Sequence, residues 1–218
     1  MPKNICDVLY LEPDKKYGYA SINSLSKALF NKTSTEINTY LLNFNRKSSI
    51  IAIQVHLYYI YLIKEIINKT NNIPIKFDLF ISSNSFTKKN YLYNFIKKNS
   101  KANQIEIELL ENKGRDFIPF LFQMKNKIKK YKYFCHIHTK KSPYLDLEEN
   151  WRNYLLNNLL GNKDIITEIL ADLENNDKLG FVFPENYHLL IYKNHIQEKS
   201  GLKFSIILLF TKITKINL

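Results

Sequence analysis

From Ser48 onward, the sequence alternates between short apolar runs and longer amphipathic segments. The short runs predict buried β-strands because they are rich in β-branched and aromatic residues: SIIAIQVHLY, FDLFISS, QIEIELLEN, YKYFCHIHT and KLGFVFPEN. The segments between them, such as YYIYLIKEIINKT and FIPFLFQMKNKIKKY, repeat apolar residues at helical spacing. Strands that alternate with helices predict βαβ units. We therefore expect a three-layer, Rossmann-like α/β domain with a mostly parallel sheet.

This pattern also sets the expected domain limits. The α/β domain is predicted at residues 47–190, after an N-terminal extension at 1–46 and before an atypical tail at 191–218. The tail ends in GLKFSIILLFTKITKINL, which is too short to span a bilayer and fits an interfacial segment or a truncated end. No signal peptide is recognisable. We therefore expect a cytoplasmic protein, with peripheral contact at the inner face of the membrane.

The formal net charge of +12 and the pI near 9.4 predict an anionic partner, although a solvated lysine surface explains the same charge. No basic recognition helix or aromatic RNA-binding signature is present, so nucleic acid is not the expected partner. Cys6 and Cys135 lie far apart and form no metal pattern. They predict free thiols in a reducing compartment.

Polar residues follow the predicted strands, where ligands bind in parallel sheets. In ENKGRDFIPF, Gly114 allows close backbone approach and Arg115 offers a fork for phosphate or carboxylate. Asp116 can cap the following helix, accept a sugar hydroxyl or orient Arg115. The residues alone leave these three roles open.

The stretch HIHTKKS places two histidines on the same face of a strand. A metal site normally needs a third ligand, and no nearby Cys or His completes one, so no metal is predicted. Lys140 and Lys141 offer positive charge to a phosphate, and Thr139 and Ser142 add hydroxyl donors. The stretch predicts the edge of an anion pocket, and a basic loop beside a satisfied core histidine is the alternative.

Several of these segments occur in an order that resembles the rhamnan synthesis protein F family: VHLYYIYLIKEII, FDLFISS, NKGRDFIPFL, CHIHTKKS, WRNYLLNNLLG and LGFVFPEN. The resemblance covers about Ile50 to Asn186. Proteins of that family are implicated in building rhamnose-containing cell-wall and lipopolysaccharide glycans. The layout is also similar to the nucleotide-binding half of GT-A glycosyltransferases. Together these resemblances imply a nucleotide-diphosphate sugar donor, dTDP-rhamnose, and a glycan or lipid-linked glycan acceptor.

The chain departs from the GT-A pattern after its fourth strand. Where those enzymes carry an Asp-x-Asp metal motif, this sequence reads His138-Thr139-Lys140-Lys141. Two ammonium groups can neutralise a leaving diphosphate in place of a divalent ion. We therefore expect that no cofactor is required, and dependence on a divalent metal stays open.

The leading interpretation is a glycosyltransferase-like protein of bacterial surface-polysaccharide (rhamnan or lipopolysaccharide O-antigen) synthesis. Its alternatives are an inactive module that binds glycan or nucleotide sugar and, third, a nucleic-acid-binding domain. The candidate catalytic residues are Asp116, His138 and Glu185. The candidate substrate-binding residues are His56, Ser83, Asn112, Gly114, Arg115, His136, Thr139, Lys140, Lys141, Ser142, Trp151 and Arg152.

Overall fold

The fold is that of a computed structural model. It describes residues 19–20, 51–111, 113, 116–139, 148–176, 178–184 and 208–212. Within these ranges, seven strands form one sheet in the order β1-β6-β7-β5-β2-β3-β4. Strand β7 runs antiparallel to its neighbours, and the other neighbouring pairs are parallel. The strands are β1 (Tyr19–Ala20), β2 (Ile51–His56), β3 (Phe77–Ser83), β4 (Gln104–Leu109), β5 (Tyr133–His138), β6 (Phe181–Val182) and β7 (Leu208–Lys212).

Five α-helices and three short 3₁₀ turns accompany the sheet in the described part of the chain. The helices are α1 (Ile63–Thr70), α2 (Lys89–Asn99), α3 (Phe117–Met124), α4 (Glu148–Leu160) and α5 (Lys163–Asn175), and the 3₁₀ turns are Ile60–Leu62, Phe86–Lys88 and Ile128–Lys130. The prediction of an α/β, Rossmann-like fold with a mostly parallel sheet is confirmed. None of the helices within the described ranges is long and apolar enough to cross a membrane.

The helix predicted over FIPFLFQMKNKIKKY is shorter than its pattern suggests. Helix α3 ends at Met124, and a 3₁₀ turn forms at Ile128–Lys130. Between them, Lys127 makes ion pairs with Glu106 and Glu108 on the edge strand β4. These contacts draw the chain toward the sheet, which explains why the helical pattern does not continue as one helix.

The first and last strands in the sequence, β1 and β7, come from the segments predicted as an extension and a tail. β1 pairs with β6, and β7 pairs with both β5 and β6. Both segments therefore contribute strands to the same sheet as the predicted α/β domain. The boundaries at residues 46 and 190 stay a prediction.

The strand order reverses between β2 and β5. The chain runs from β2 through β3 to β4 on one side, and then returns to place β5 on the other side of β2. In open α/β sheets such a reversal creates a crevice outside the carboxyl ends of the two strands. The last residues of these strands, His56 and His138, lie opposite each other in the register.

Side-chain alternation gives the two faces of the sheet different compositions. One face is largely apolar and packs in a single core with residues of α1, α2, α4 and α5. The other face carries a smaller apolar cluster of Ala52, Phe80, Phe134 and Met124, the last from α3. Toward the carboxyl ends this second face becomes polar. Its polar residues are Gln54, His56, Ser82, His136 and His138.

Candidate functional site

Three histidines from neighbouring strands share the polar end of this face. His56 lies opposite His138 in the register of β2 and β5, and Gln54 lies opposite His136. Asp116, directly before α3, places its Oδ2 3.4 Å from Nε2 of His136 and 3.9 Å from Nε2 of His138. His56 and His138 are buried, whereas 28% of the Asp116 side chain is exposed. The partly exposed carboxylate of Asp116 therefore lies at the crevice and contacts the imidazoles of His136 and His138.

Two buried glutamines fix the orientation of His136. Gln123 donates from Nε2 to the backbone oxygen of Ile81 at 3.1 Å, so its Oε1 is left to accept from Gln54. Gln54 donates from Nε2 to that oxygen at 3.2 Å and presents its own Oε1 at 2.6 Å from Nδ1 of His136. Because an amide oxygen can only accept, Nδ1 of His136 carries a hydrogen.

The same orientation places His136 against Asp116. Its Nδ1 is held by Oε1 of Gln54, so its Nε2 faces Oδ2 of Asp116 at 3.4 Å. The two buried glutamines therefore fix the edge of the imidazole that contacts the carboxylate.

His56 is buried next to Ser82. Oγ of Ser82 accepts a hydrogen bond from Gln54 Nε2 at 3.1 Å, so its own hydrogen can be donated to Nδ1 of His56 at 3.0 Å. Burial lowers the pKa of His56 from 6.5 to about 4, with the charge of Asp116 opposing the shift and that of His136 adding to it. The ring is therefore neutral at physiological pH.

Asp116 remains ionised despite its partial burial. Burial alone would raise the pKa of this carboxyl, but the hydrogen bond from His136 and the charges of His138 and His136 hold the pKa well below its usual range. Asp116 occupies the N-cap position of α3, yet its side chain makes no capping hydrogen bond. Of the roles left open by the sequence, helix capping is therefore wrong, because the carboxylate turns to the histidines instead.

The structure gives protein partners to other predicted binding residues. Thr139 Oγ1 accepts from the backbone N–H groups of Tyr58 (2.9 Å) and Tyr59 (3.1 Å) and donates to the backbone oxygen of His56 (3.2 Å). These bonds fill the capacity of a hydroxyl group. Thr139 therefore holds the loop after β2 against the end of β5.

Two further candidates lie away from the three histidines. Ser83 is buried on the other face of β3 and accepts a hydrogen bond at Oγ from the backbone N–H of Ser85. Arg152 on α4 is buried and donates from Nε to Glu65 on α1 at 3.1 Å. Its nearest anionic partner is therefore within the protein.

Seven of the candidate site residues lie outside the described residues. These are Asn112, Gly114, Arg115, Lys140, Lys141, Ser142 and Glu185. Trp151 is part of α4, and its side chain is not among the described groups. Their binding and catalytic roles stay predictions. In the described segments, no group of three or more His, Cys, Asp or Glu is arranged to hold a metal ion.

An open pocket of about 1010 Å³ lies beside the crevice, between the loops that follow β2 and β3. Its aromatic lining is Tyr58, Tyr59, Tyr61, Tyr91 and Phe95. Lys64 and Lys88 also line it, and none of its described lining residues is acidic. Because Tyr58 and Tyr59 are bonded to Thr139, one wall of this tyrosine pocket is fixed to the end of β5. His56, a candidate substrate-binding residue, is buried and contacts Oγ of Ser82 through its Nδ1.

The hydrogen-bonded pair of Gln54 and Gln123 is the part of the site that the sequence analysis missed. Gln54 interrupts the otherwise apolar run IIAIQVH, and Gln123 lies in the apolar helix FIPFLFQM. A polar residue at a position that must be buried needs a hydrogen-bonding partner. That signal could have identified both glutamines, but not their partners.

Comparison with known proteins identifies the family of the chain. The family model for rhamnan synthesis protein F matches residues 15–205 of the chain. The chain belongs to the rhamnan synthesis protein F family. The predicted family resemblance is confirmed, and membership associates the chain with polysaccharide biosynthesis.

The curated relatives are longer proteins. The chain is 27% identical over 182 residues to the uncharacterised protein WxcX of Xanthomonas campestris pv. campestris strain B100, covering 83% of this chain and 24% of WxcX. The WxcX protein of a second strain of that pathovar matches equally, at 27% identity over 183 residues. The chain thus spans about a quarter of the length of the curated relatives it matches. No solved structure matches it significantly.

Proposed function

We propose that this chain is a glycosyltransferase domain of bacterial surface-polysaccharide synthesis. It binds a nucleotide-diphosphate sugar at the carboxyl edge of the sheet and transfers the sugar to a glycan. The observation that carries the proposal is the ionised Asp116 carboxylate beside two buried histidines, at the point where the strand order reverses. The family description, which refers to rhamnan synthesis, supports rhamnose as the sugar. The donor of the proposed reaction is dTDP-rhamnose.

The tyrosine pocket supports the placement of the donor's nucleoside. A nucleobase stacks well on aromatic side chains, and 61% of Tyr61 and 57% of Tyr91 is exposed. The diphosphate of the same donor would extend from this pocket toward β5. We propose that Arg115, Lys140 and Lys141 bind it. These cations offer charge-assisted hydrogen bonds to it. The transferred sugar would then lie next to Asp116.

In the proposed reaction an acceptor hydroxyl oxygen forms a bond to the anomeric carbon of the sugar. The bond from that carbon to the diphosphate breaks, the diphosphate leaves with the electron pair, and a base takes the hydroxyl proton. A carboxylate with a strongly lowered pKa is a poor base. We therefore assign Asp116 to binding sugar hydroxyls and stabilising positive charge on the sugar. Glu185 remains the candidate base.

The alternative is a module that binds nucleotide sugar or glycan without transfer. It is favoured by the absence of an Asp-x-Asp motif at residues 138–141. A domain that only binds still needs the tyrosine pocket and the cations. It does not need an ionised Asp116.

The two functions are separated by measuring binding and transfer on the same variants. Asp116→Asn should leave nucleoside-diphosphate binding within about twofold and reduce sugar transfer about a hundredfold or more, because it removes a charge that acts on the reacting sugar. Arg115→Ala and Lys140→Ala should each weaken binding about 10- to 100-fold, since each removes a charge-assisted hydrogen bond. Calorimetry with nucleoside diphosphates and a radiolabelled-sugar transfer assay provide the two readouts.

Lys97→Ala is the control, because Lys97 is an exposed cation on α2. Equal weakening by Lys97→Ala, Arg115→Ala and Lys140→Ala would indicate diffuse charge attraction and contradict the proposed site. Binding without any transfer by the intact chain would establish the binding module instead.

A further inference from the structure

Helix α3 carries large apolar residues on both of its sides. Its buried residues are Pro119, Met124 and the hydrogen-bonded Gln123. Its outer side exposes four large hydrophobic residues, with 61%, 38%, 40% and 60% of their surface accessible: Phe117, Ile118, Leu121 and Phe122. A helix that is hydrophobic all round is normally covered on all sides.

The four exposed residues form one continuous patch, here called the α3 patch. Phe117 and Leu121 are four residues apart, as are Ile118 and Phe122, so they are neighbours on the helix surface. Contiguous apolar patches on soluble proteins mark binding surfaces for proteins or membranes. The other large exposed hydrophobic residues among those described are all tyrosines, whose hydroxyl groups tolerate water: Tyr58, Tyr61, Tyr91 and Tyr93.

Positive charge borders the α3 patch. Nζ of Lys125 lies 5.5 Å from the centroid of the Phe122 ring, and exposed Lys129 and Lys130 follow in the next 3₁₀ turn. No acidic residue occurs from Phe117 to Tyr131. Exposed aromatic and aliphatic side chains beside lysines are the composition of helices that lie in the interface of anionic membranes.

We propose that the α3 patch docks this chain on an anionic phospholipid surface. Phe117, Ile118, Leu121 and Phe122 enter the boundary between head groups and acyl chains, and Lys125, Lys129 and Lys130 contact lipid phosphates. The membrane is preferred over a protein partner because the chain carries a net charge of +12 and exposed lysines, Lys125, Lys129 and Lys130, follow the patch in the chain.

The docking surface also has a consequence for the proposed function. Asp116 immediately precedes α3, so a membrane-bound α3 holds the candidate site next to the lipid surface. The docking surface itself does not depend on which reaction the site performs.

Vesicle cosedimentation tests the docking surface directly. The intact chain should bind vesicles of mixed phosphatidylcholine and phosphatidylglycerol, and bind vesicles of phosphatidylcholine alone much less. The double variant Phe117→Ser/Phe122→Ser should bind the mixed vesicles about tenfold or more weakly. The triple variant Lys125→Gln/Lys129→Gln/Lys130→Gln should bind about a hundredfold more weakly, at roughly fivefold for each lysine.

The matched control is Lys89→Gln/Lys97→Gln/Lys98→Gln, which removes the same charge from the exposed side of α2. It should retain most of the vesicle binding. A control loss as large as that of the α3 triple variant would overturn the proposal, because attraction would then be diffuse. Self-association that the serine variants abolish, in the absence of vesicle binding, would also overturn it. Nucleoside-diphosphate binding, measured separately, reports on the proposed function, so vesicle binding without nucleotide binding would support the docking surface alone.

Discussion

At the scale of single residues, the burial of His56 predicts how the free energy of unfolding depends on pH. In the folded protein burial lowers its pKa to about 4, whereas the unfolded imidazole titrates near 6.5. As the pH falls between these values the unfolded state binds more protons, so the free energy of unfolding decreases. The contribution is fully present above about pH 6.5 and is lost by about pH 4, on the order of 3 kcal/mol.

Urea unfolding at a series of pH values measures this contribution. His56→Gln removes the titrating group and keeps a hydrogen-bonding side chain opposite Ser82. Between about pH 6.5 and 4 its stability should therefore fall less steeply than that of the wild type, by the equivalent of one proton. Identical slopes for the two proteins would show that His56 is not buried in its neutral form.

The residue scale also shows how far sequence reasoning reaches in the site. The carboxyl-edge rule predicted that residues after different strands would meet, and the structure places Asp116 beside His136 and His138. The rule could not show that Gln54 and Gln123 orient His136. Their hydrogen bonds join residues of β2, α3 and β5, which are far apart in the sequence. Pairwise side-chain geometry of this kind leaves no periodic pattern in a sequence.

At the scale of elements, Arg152 is a contact between two helices. Its Nε lies 3.1 Å from Oε2 of Glu65, which joins α4 to α1, and only 10% of the Arg152 side chain is exposed. Removing one member of a buried ion pair leaves an unpaired charge, so Arg152→Ala should lower the free energy of unfolding by about 3 kcal/mol. Urea unfolding measures the loss.

The double variant Arg152→Met/Glu65→Met is the control for this pair, since it leaves neither charge buried. It should be more stable than Arg152→Ala. The sequence had suggested that Arg152 binds substrate. A normally stable Arg152→Ala variant with lost nucleoside-diphosphate binding would restore that role and contradict the structural one.

At the same scale, the sequence patterns predicted some strands well and one helix end poorly. The apolar, β-branched runs gave β2, β3 and β5 because each is buried along its whole length. The segment after Met124 has apolar residues at helical spacing, but ion pairs of Lys127 with β4 end the helix. Tertiary contacts therefore override local propensity at that point.

At the scale of the whole molecule, the sheet depends on a strand that the sequence assigned to a tail. In the described sheet, β7 lies between β5 and β6 and hydrogen-bonds to both. Its apolar run and its lysines also fit an interfacial segment, because composition does not distinguish a buried strand from a surface helix of this length. Only pairing with β5 and β6 identifies it as part of the sheet.

The integral role of β7 can be tested at Thr211, which pairs with Phe134 on one side and Phe181 on the other. Thr211→Pro removes a backbone N–H from the middle of the sheet and should lower the free energy of unfolding by about 3 kcal/mol or more. Thr211→Val has a similar shape and keeps the N–H, so its stability should stay close to that of the wild type. Urea unfolding of both variants gives the comparison. If proline and valine have equal effects, β7 does not join β6 to the rest of the sheet, and β5 is then the edge of the parallel strands.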